Sequence, residues 1–235
     1  MKQFLSVLFG SLISFVSAQS PLGAWQADTQ DATLEEVTVI SIVSEGYQAI
    51  SWYNTATGAF IRTLGGAWSL DGSEWSLNVE FDSEQPEQVG ETLHFTIAQN
   101  TKGYSVSGMN LEFRQIDTNT PGALAGAWLM SARKQGETLK PRSTDQPRKT
   151  MKILSGTRFQ WIAYNTETKQ FMGTGGGHYT TENGTYTEHI EFFSRDNSRV
   201  GAALAFKFER IDNDWHHSGL SSRGDPIYEV WSLRK

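Results

Sequence analysis

The chain contains no cysteine. That absence excludes a disulfide-stapled scaffold, a thiolate zinc site, an iron–sulfur cluster and a lipid-modified cysteine. Proline is scarce, at six residues, and histidine at five. Basic residues number 20 against 26 acidic ones, for a formal charge of −6. No run of Lys and Arg is dense enough to grip a phosphate backbone, so nucleic acid is not expected as a partner. Past the N-terminus no apolar stretch approaches the roughly 20 residues that a membrane-crossing helix needs. Enzyme signatures are missing too: there is no Gly-x-Ser-x-Gly, P-loop, His-Glu-x-x-His or dinucleotide fingerprint.

Aromatic residues make up 12% of the 235, eight of them Trp, which is too many for a disordered chain. That length can bury one or two cores. Residues 1–18 read as a secretory signal. Lys2 supplies the positive start, Phe4 to Val16 is mostly apolar, and Val16-Ser17-Ala18 offers small residues for cleavage. A secreted or periplasmic location is expected.

The sequence also repeats. At a shift of 111, residues 53–109 align with 164–220 without a gap and share 17 of 57 positions. Tyr53-Asn54-Thr55 falls on Tyr164-Asn165-Thr166, Gly65-Gly66 on Gly176-Gly177, and Glu80-Phe81 on Glu191-Phe192. Upstream, Gly23-Ala24-Trp25 recurs as Gly126-Ala127-Trp128 at a shift of 103, so the second copy carries about eight extra residues between. Within each copy the pattern is strand-like: Trp75, Leu77, Val79 and Phe81 alternate with polar neighbours. Thr185–Phe193 and Pro226–Leu233 are similar runs, and Asn183-Gly184 is a strong hairpin signal. The glycines of 173–177 suit a bulge or sharp bend. About eight short strands per copy predict two tandem up-and-down antiparallel barrels, all-β, over 19–118 and 122–235. Thr118–Pro121 is the expected joint.

A Gly-x-Trp opening the first strand, many hairpins and a basic residue near the last strand resemble the lipocalin/calycin superfamily. In that superfamily an Arg packs over the Trp that closes the barrel, which implies the pairs Trp25 with Arg114 and Trp128 with Arg234. The second copy resembles a narrower family, of secreted bacterial lipocalin-like domains of unknown function. It does so through Thr174–Tyr179, Gly184–Glu191, Trp215–Gly219 and Gly224–Trp231. The first copy departs from that pattern, with Ala67, Leu77, Ser105 and Val106 where the second has His178, Glu188, His216 and His217. The resemblance implies a ligand-holding barrel and leaves the ligand unnamed.

A barrel of this size leaves room for one small ligand among its inward-facing residues. Four of the five histidines lie in the second copy, as does Glu188, a carboxylate on an otherwise apolar face. The expected ligand-binding residues are therefore Trp161, His178, Tyr179, Tyr186, Glu188 and His217, with the first barrel degenerate. His189 and Glu191 alternate with that face and are expected outside; of His216 and His217, only the latter keeps the phase of Trp215. The leading expectation is a secreted binding protein that holds a small apolar or amphipathic molecule and uses no cofactor. The alternative is an enzyme that uses Glu188, His178 and His217 as acid/base residues on a small substrate. A metal site built from those three would need strands to converge and is not expected. The stretch Lys134–Lys149, with Lys134, Lys140, Arg142, Arg148 and Lys149, reads as a long loop that could offer itself to an anionic partner.

Overall fold

A computed structural model describes residues 20–100, 102–109, 111–117, 122–221 and 224–234. The expected signal segment and the expected joint at Thr118–Pro121 lie outside the described residues. The first copy forms β1 (Gly23–Gln30), β2 (Glu36–Ser44), β3 (Tyr47–Asn54), β4 (Phe60–Asp71), β5 (Glu74–Asp82), β6 (Thr92–Asn100), β7 (Gly103–Val106) and β8 (Glu112–Gln115). Each pairs with its neighbour, and β8 returns to β1 to close an eight-stranded antiparallel barrel. The second copy forms β9 (Gly126–Gln135), β10 (Thr138–Pro141), β11 (Arg148–Leu154), β12 (Arg158–Asn165), β13 (Gln170–Glu182), β14 (Thr185–Phe193), β15 (Ala203–Ile211), β16 (Asp214–Leu220) and β17 (Pro226–Leu233). Here β17 pairs with β9, closing a second barrel, while β10 hangs on β9 as an extra strand. The expected pair of tandem barrels is the observed architecture, and closure leaves few free sheet edges.

The same local devices build both barrels. Gly23 and Gly126 open their first strands at φ of 123° and 139°, a region that side chains with a Cβ avoid. The Trp two residues on then donates its indole N–H to the carbonyl four residues before it. Trp25 reaches Pro21 at 2.8 Å and Trp128 reaches Leu124 at 2.9 Å. Asn183 and Gly184 both sit at positive φ, the hairpin turn that the dipeptide favours.

The arginines behave differently from what the resemblance implied. Arg114 pairs with Asp28 at 2.6 Å. Arg234 binds Glu80 of the other barrel at 2.6 Å and lies 4.0 Å over Tyr47. The cation that covers Trp128, at 4.5 Å, is Arg210. A partly buried carboxylate at the barrel boundary attracts Arg234 more strongly than an aromatic ring does. The expected long loop 134–149 is instead largely a hairpin extension of β9 and β10. Lys134 there bonds Glu137, and Lys149 bonds the carbonyls of Thr144 and Gln146.

The two barrels meet face to face, and the contacts are reciprocal. Tyr53 donates to Glu191 at 2.9 Å, and its equivalent Tyr164 donates to Glu80, the equivalent of Glu191, at 2.6 Å. The Tyr53–Phe192 rings stand 5.1 Å apart and the matching Phe81–Tyr164 rings 5.0 Å. Phe60 stacks on its own counterpart Phe171 at 6.0 Å. Such exchange, in which each patch meets its own copy, is the geometry of a two-fold dimer interface. One apolar cluster spans the junction, with Ile40, Ile42 and Phe81 from one side and Met151, Ile153 and Phe192 from the other. As a result β2 and β11 are buried on both faces, one inside its own barrel and one against the other.

Glu80→Ala should therefore destabilise the protein by about 2 kcal/mol, because it strands Arg234 and the Tyr164 hydroxyl in a partly buried site. Urea denaturation checks this. Adding Arg234→Ala should recover part of the loss, as coupled neighbours do.

Candidate ligand cavity

Within the second barrel lies a cavity of about 540 Å³. Strand direction orders its wall in depth. β9 and β11 pair where Trp128 faces Lys152, and β16 and β17 pair where Trp215 faces Trp231. Trp231 lines the closed end of the cavity, and the fully buried Trp128, Trp215 and Tyr186 pack behind it without lining the cavity. One step up come Lys152, Glu188, His217 and Glu229. Nearer the mouth are apolar Ile190, Phe193, Leu204 and Ile227, rimmed by Arg133, Arg195, Asp196 and Arg199.

The charged layer centres on an ion pair. Lys152 Nζ donates to Glu188 Oε1 at 2.7 Å, with both residues about 5% exposed or less. The Tyr186 hydroxyl donates to the same oxygen at 2.9 Å. Burial, and then the Glu188 charge, push the Tyr186 phenol well above its usual range, so it stays a donor. The Lys152 ammonium lies 5.0–5.7 Å from the rings of Trp215, Tyr186, Trp231 and Phe206. That aromatic cage partly replaces the water the cation has lost. A buried charge without such partners would cost several kcal/mol.

Beside this pair His217 faces Glu229 at 3.6 Å, too long for a hydrogen bond. Burial first, and then the Lys152 charge, hold the imidazole below its ordinary titration range, so it is neutral near pH 7. Burial opposes ionisation of Glu229 as well, but nearby His217, Lys152 and Arg133 outweigh it and leave the carboxyl below its usual value. Both nitrogens of His217 and the indole N–H groups of Trp215 and Trp231 are buried without a hydrogen-bond partner.

The first barrel shows what these residues change. In register, Ser41 stands for Lys152, since each pairs with the opening Trp. Leu77 stands for Glu188, Val106 for His217 and Leu111 for Glu229. Without the four ionisable groups the interior is filled by Trp75, Tyr104 and Phe113, leaving about 40 Å³. A short neutral chain satisfies its polar atoms: Trp75 donates to Gln48 at 2.9 Å and Gln48 to Ser41 at 3.0 Å.

The residues singled out from sequence scatter. Trp161, Glu188 and His217 line the cavity. Tyr186 stands behind Glu188 and does not line the cavity, and Tyr179 is buried with its hydroxyl on the Ser155 carbonyl at 2.7 Å. His178 lies outside the cavity. It pairs across the ladder with His189, stacks on it at 4.4 Å, and binds Glu191 at 2.8 Å. Cross-strand partners share a face, so the outward phase of His189 carries His178 with it. A bulge between Gly176 and Gly177 marks this stretch of β13, where a Cβ on Gly177 would come 2.0 Å from the His189 carbonyl. His217 points inward and His216 outward, onto the Tyr228 hydroxyl at 2.7 Å. Sequence reasoning missed Lys152 and Glu229. Carrying the register upstream to Ser41 would have exposed the lysine.

Among the described residues no group of three or more His, Asp or Glu could hold a metal ion, and no helix is long and apolar enough to cross a membrane.

Residues 123–233 match the family described as "Domain of unknown function (DUF4488)". The match covers the second barrel and none of the first. No curated protein matches the chain. Among solved structures, the Cpx pathway activator NlpE from Escherichia coli is similar at 12% identity, over 92% of this chain and 93% of that one, with a TM-score of 0.25.

Two outcomes check the electrostatics. Lys152→Met alone should cost about 3 kcal/mol or more by leaving Glu188 buried and unpaired, while Lys152→Met with Glu188→Leu should recover most of it in urea unfolding. The unfolded chain binds a proton at His217 more readily than the folded one. Stability should therefore fall as pH drops below about 6.5, by at most about 1.4 kcal/mol per pH unit. Comparing urea midpoints at pH 7.5 and 5.5, His217→Val should show a smaller drop than the parent.

Proposed function

We propose that the protein is a secreted or periplasmic binding protein whose C-terminal, lipocalin-like barrel holds one small amphipathic molecule, while its N-terminal barrel is a filled structural partner. The observation that carries this reading is the contrast between two copies of one unit, one with a cavity of about 540 Å³ and one with about 40 Å³. Hollow volume costs dispersion contacts, and a chain that needed only stability would fill it as the first barrel does. The apolar band of Ile190, Phe193, Leu204 and Ile227 suits an aliphatic or aromatic body, and the polar layers on either side suit functional groups.

The competing reading, acid–base catalysis by Glu188, His178 and His217, has less support. Glu188 Oε1 is taken by Lys152 and Tyr186, and His178 sits on the outer face, so the three residues do not converge on one substrate.

Trp161 and Trp231 line the cavity, so filling it should quench or shift tryptophan fluorescence. Native mass spectrometry against a bacterial lipid extract should show a retained small molecule. Ile190→Trp, which places an indole in the cavity, should weaken retention at least tenfold with little change in unfolding midpoint. Unchanged retention in that variant would move the ligand elsewhere.

A further inference from the structure

We propose that the deep end of the C-terminal cavity takes a neutral polyol, a sugar ring or another group with adjacent hydroxyls, that donates to Glu188 and Glu229. This rests on the binding function proposed above and adds the chemical class of the ligand's buried end.

Open acceptors dominate the deep layer. Glu188 Oε1 is taken by Lys152 at 2.7 Å and by the Tyr186 hydroxyl at 2.9 Å, while Oε2 of the same carboxylate has no donor among the described residues. Neither oxygen of Glu229 has one. Arg133 stops 3.8 Å from the first and His217 3.6 Å from the second. Both carboxylates are buried, and both line the cavity. An ionised carboxylate can only accept, and buried polar groups in native proteins almost always find a partner. Donors for these three oxygens therefore come from outside the chain. His217 lines the same cavity, 2% exposed and neutral, with both nitrogens unpartnered. The neutral ring offers one N–H and one lone pair, and a hydroxyl, which donates and accepts at once, answers either.

Charge decides between kinds of donor. Lys152, Arg133, Arg195 and Arg199 line the cavity against Glu188, Glu229 and Asp196. The wall as a whole thus carries one positive charge in excess and does not favour a cationic head. The deep layer by itself sets two carboxylates against Lys152, and does not favour an anionic one. Hydroxyls donate without adding charge of either sign. A single hydroxyl would leave two of the three open oxygens without a donor, whereas adjacent hydroxyls reach both oxygens of one carboxylate together. The aromatic wall suits the same occupant. Trp161, Phe206 and Trp231 line the cavity, and the negative face of an aromatic ring attracts the polarised C–H groups of a sugar. The apolar body that the head carries then lies in the band of Ile190, Phe193 and Leu204, nearer the mouth.

The test uses the whole chain and five probes that share an eight-carbon chain: octyl β-D-glucoside, 1,2-octanediol, 1-octanol, octanoate and octylamine, each below its micelle concentration. Titration calorimetry should rank the glucoside at least tenfold tighter than octanol, with the diol between them and both ionic probes weaker than the diol. His217→Val with Glu229→Leu gives this barrel the residues that the first carries as Val106 and Leu111, and so should fold. In that variant the glucoside should lose most of its advantage over octanol while octanol still binds. Octanol matching the glucoside and the diol, an ionic probe binding more tightly than both, or an advantage that survives undiminished in the variant would each overturn the proposal and leave the binding function standing. If none of the five binds, the proposal falls alone, because retention of a molecule from lipid extract in native mass spectrometry tests the binding function separately.

Discussion

Two opposite charges 2.7 Å apart, Lys152 and Glu188, set the character of the C-terminal barrel. Neither tolerates the interior alone, and together they need a hydroxyl from Tyr186 and a ring cage to remain there. Groups arranged in this way cannot be replaced one at a time. The other barrel, which lacks these groups, is filled by aromatic side chains instead. The hollow is lined by the pair and by the His217–Glu229 set beside it. Its polarity comes from those residues.

The two barrels pack into a single body. The reciprocal Tyr–Glu bonds and the ring contacts around Phe60 and Phe171 are those expected when a duplicated unit meets its own copy across a two-fold axis. This arrangement explains why the filled copy persists beside the hollow one. It covers the apolar faces of β11, β12 and β14, which a free second barrel would expose. It also explains the destination of Arg234, which the barrel-closing role would have kept at its own end and which Glu80 draws across the boundary instead.

Much of the fold was legible in the sequence. The repeat at 111 residues, the Gly-x-Trp openings and the period-2 runs pointed to two barrels, because hydrophobic alternation, turn chemistry and duplication are all local properties. Glu188 and His217 stood out for a related reason, since each breaks an apolar series that the other copy preserves. His178 did not yield to the same reasoning. Three glycines and a bulge precede it, and only its pairing with His189 shows which face it takes. Lys152 escaped because its strand is buried on both sides, so the alternation that marks an inward residue is absent there.

By itself the sequence determined that the chain is all-β and doubled, and that its later half alone carries ionisable groups on an inward face. Which of those groups meet was decided by tertiary structure. Lys152 reaches Glu188 across 36 positions of chain, and Glu80 finds Arg234 across 154. Strand alternation records which way a side chain points. Barrel closure and docking of the second barrel decide what it points at, since both depend on distances between segments that no local pattern encodes.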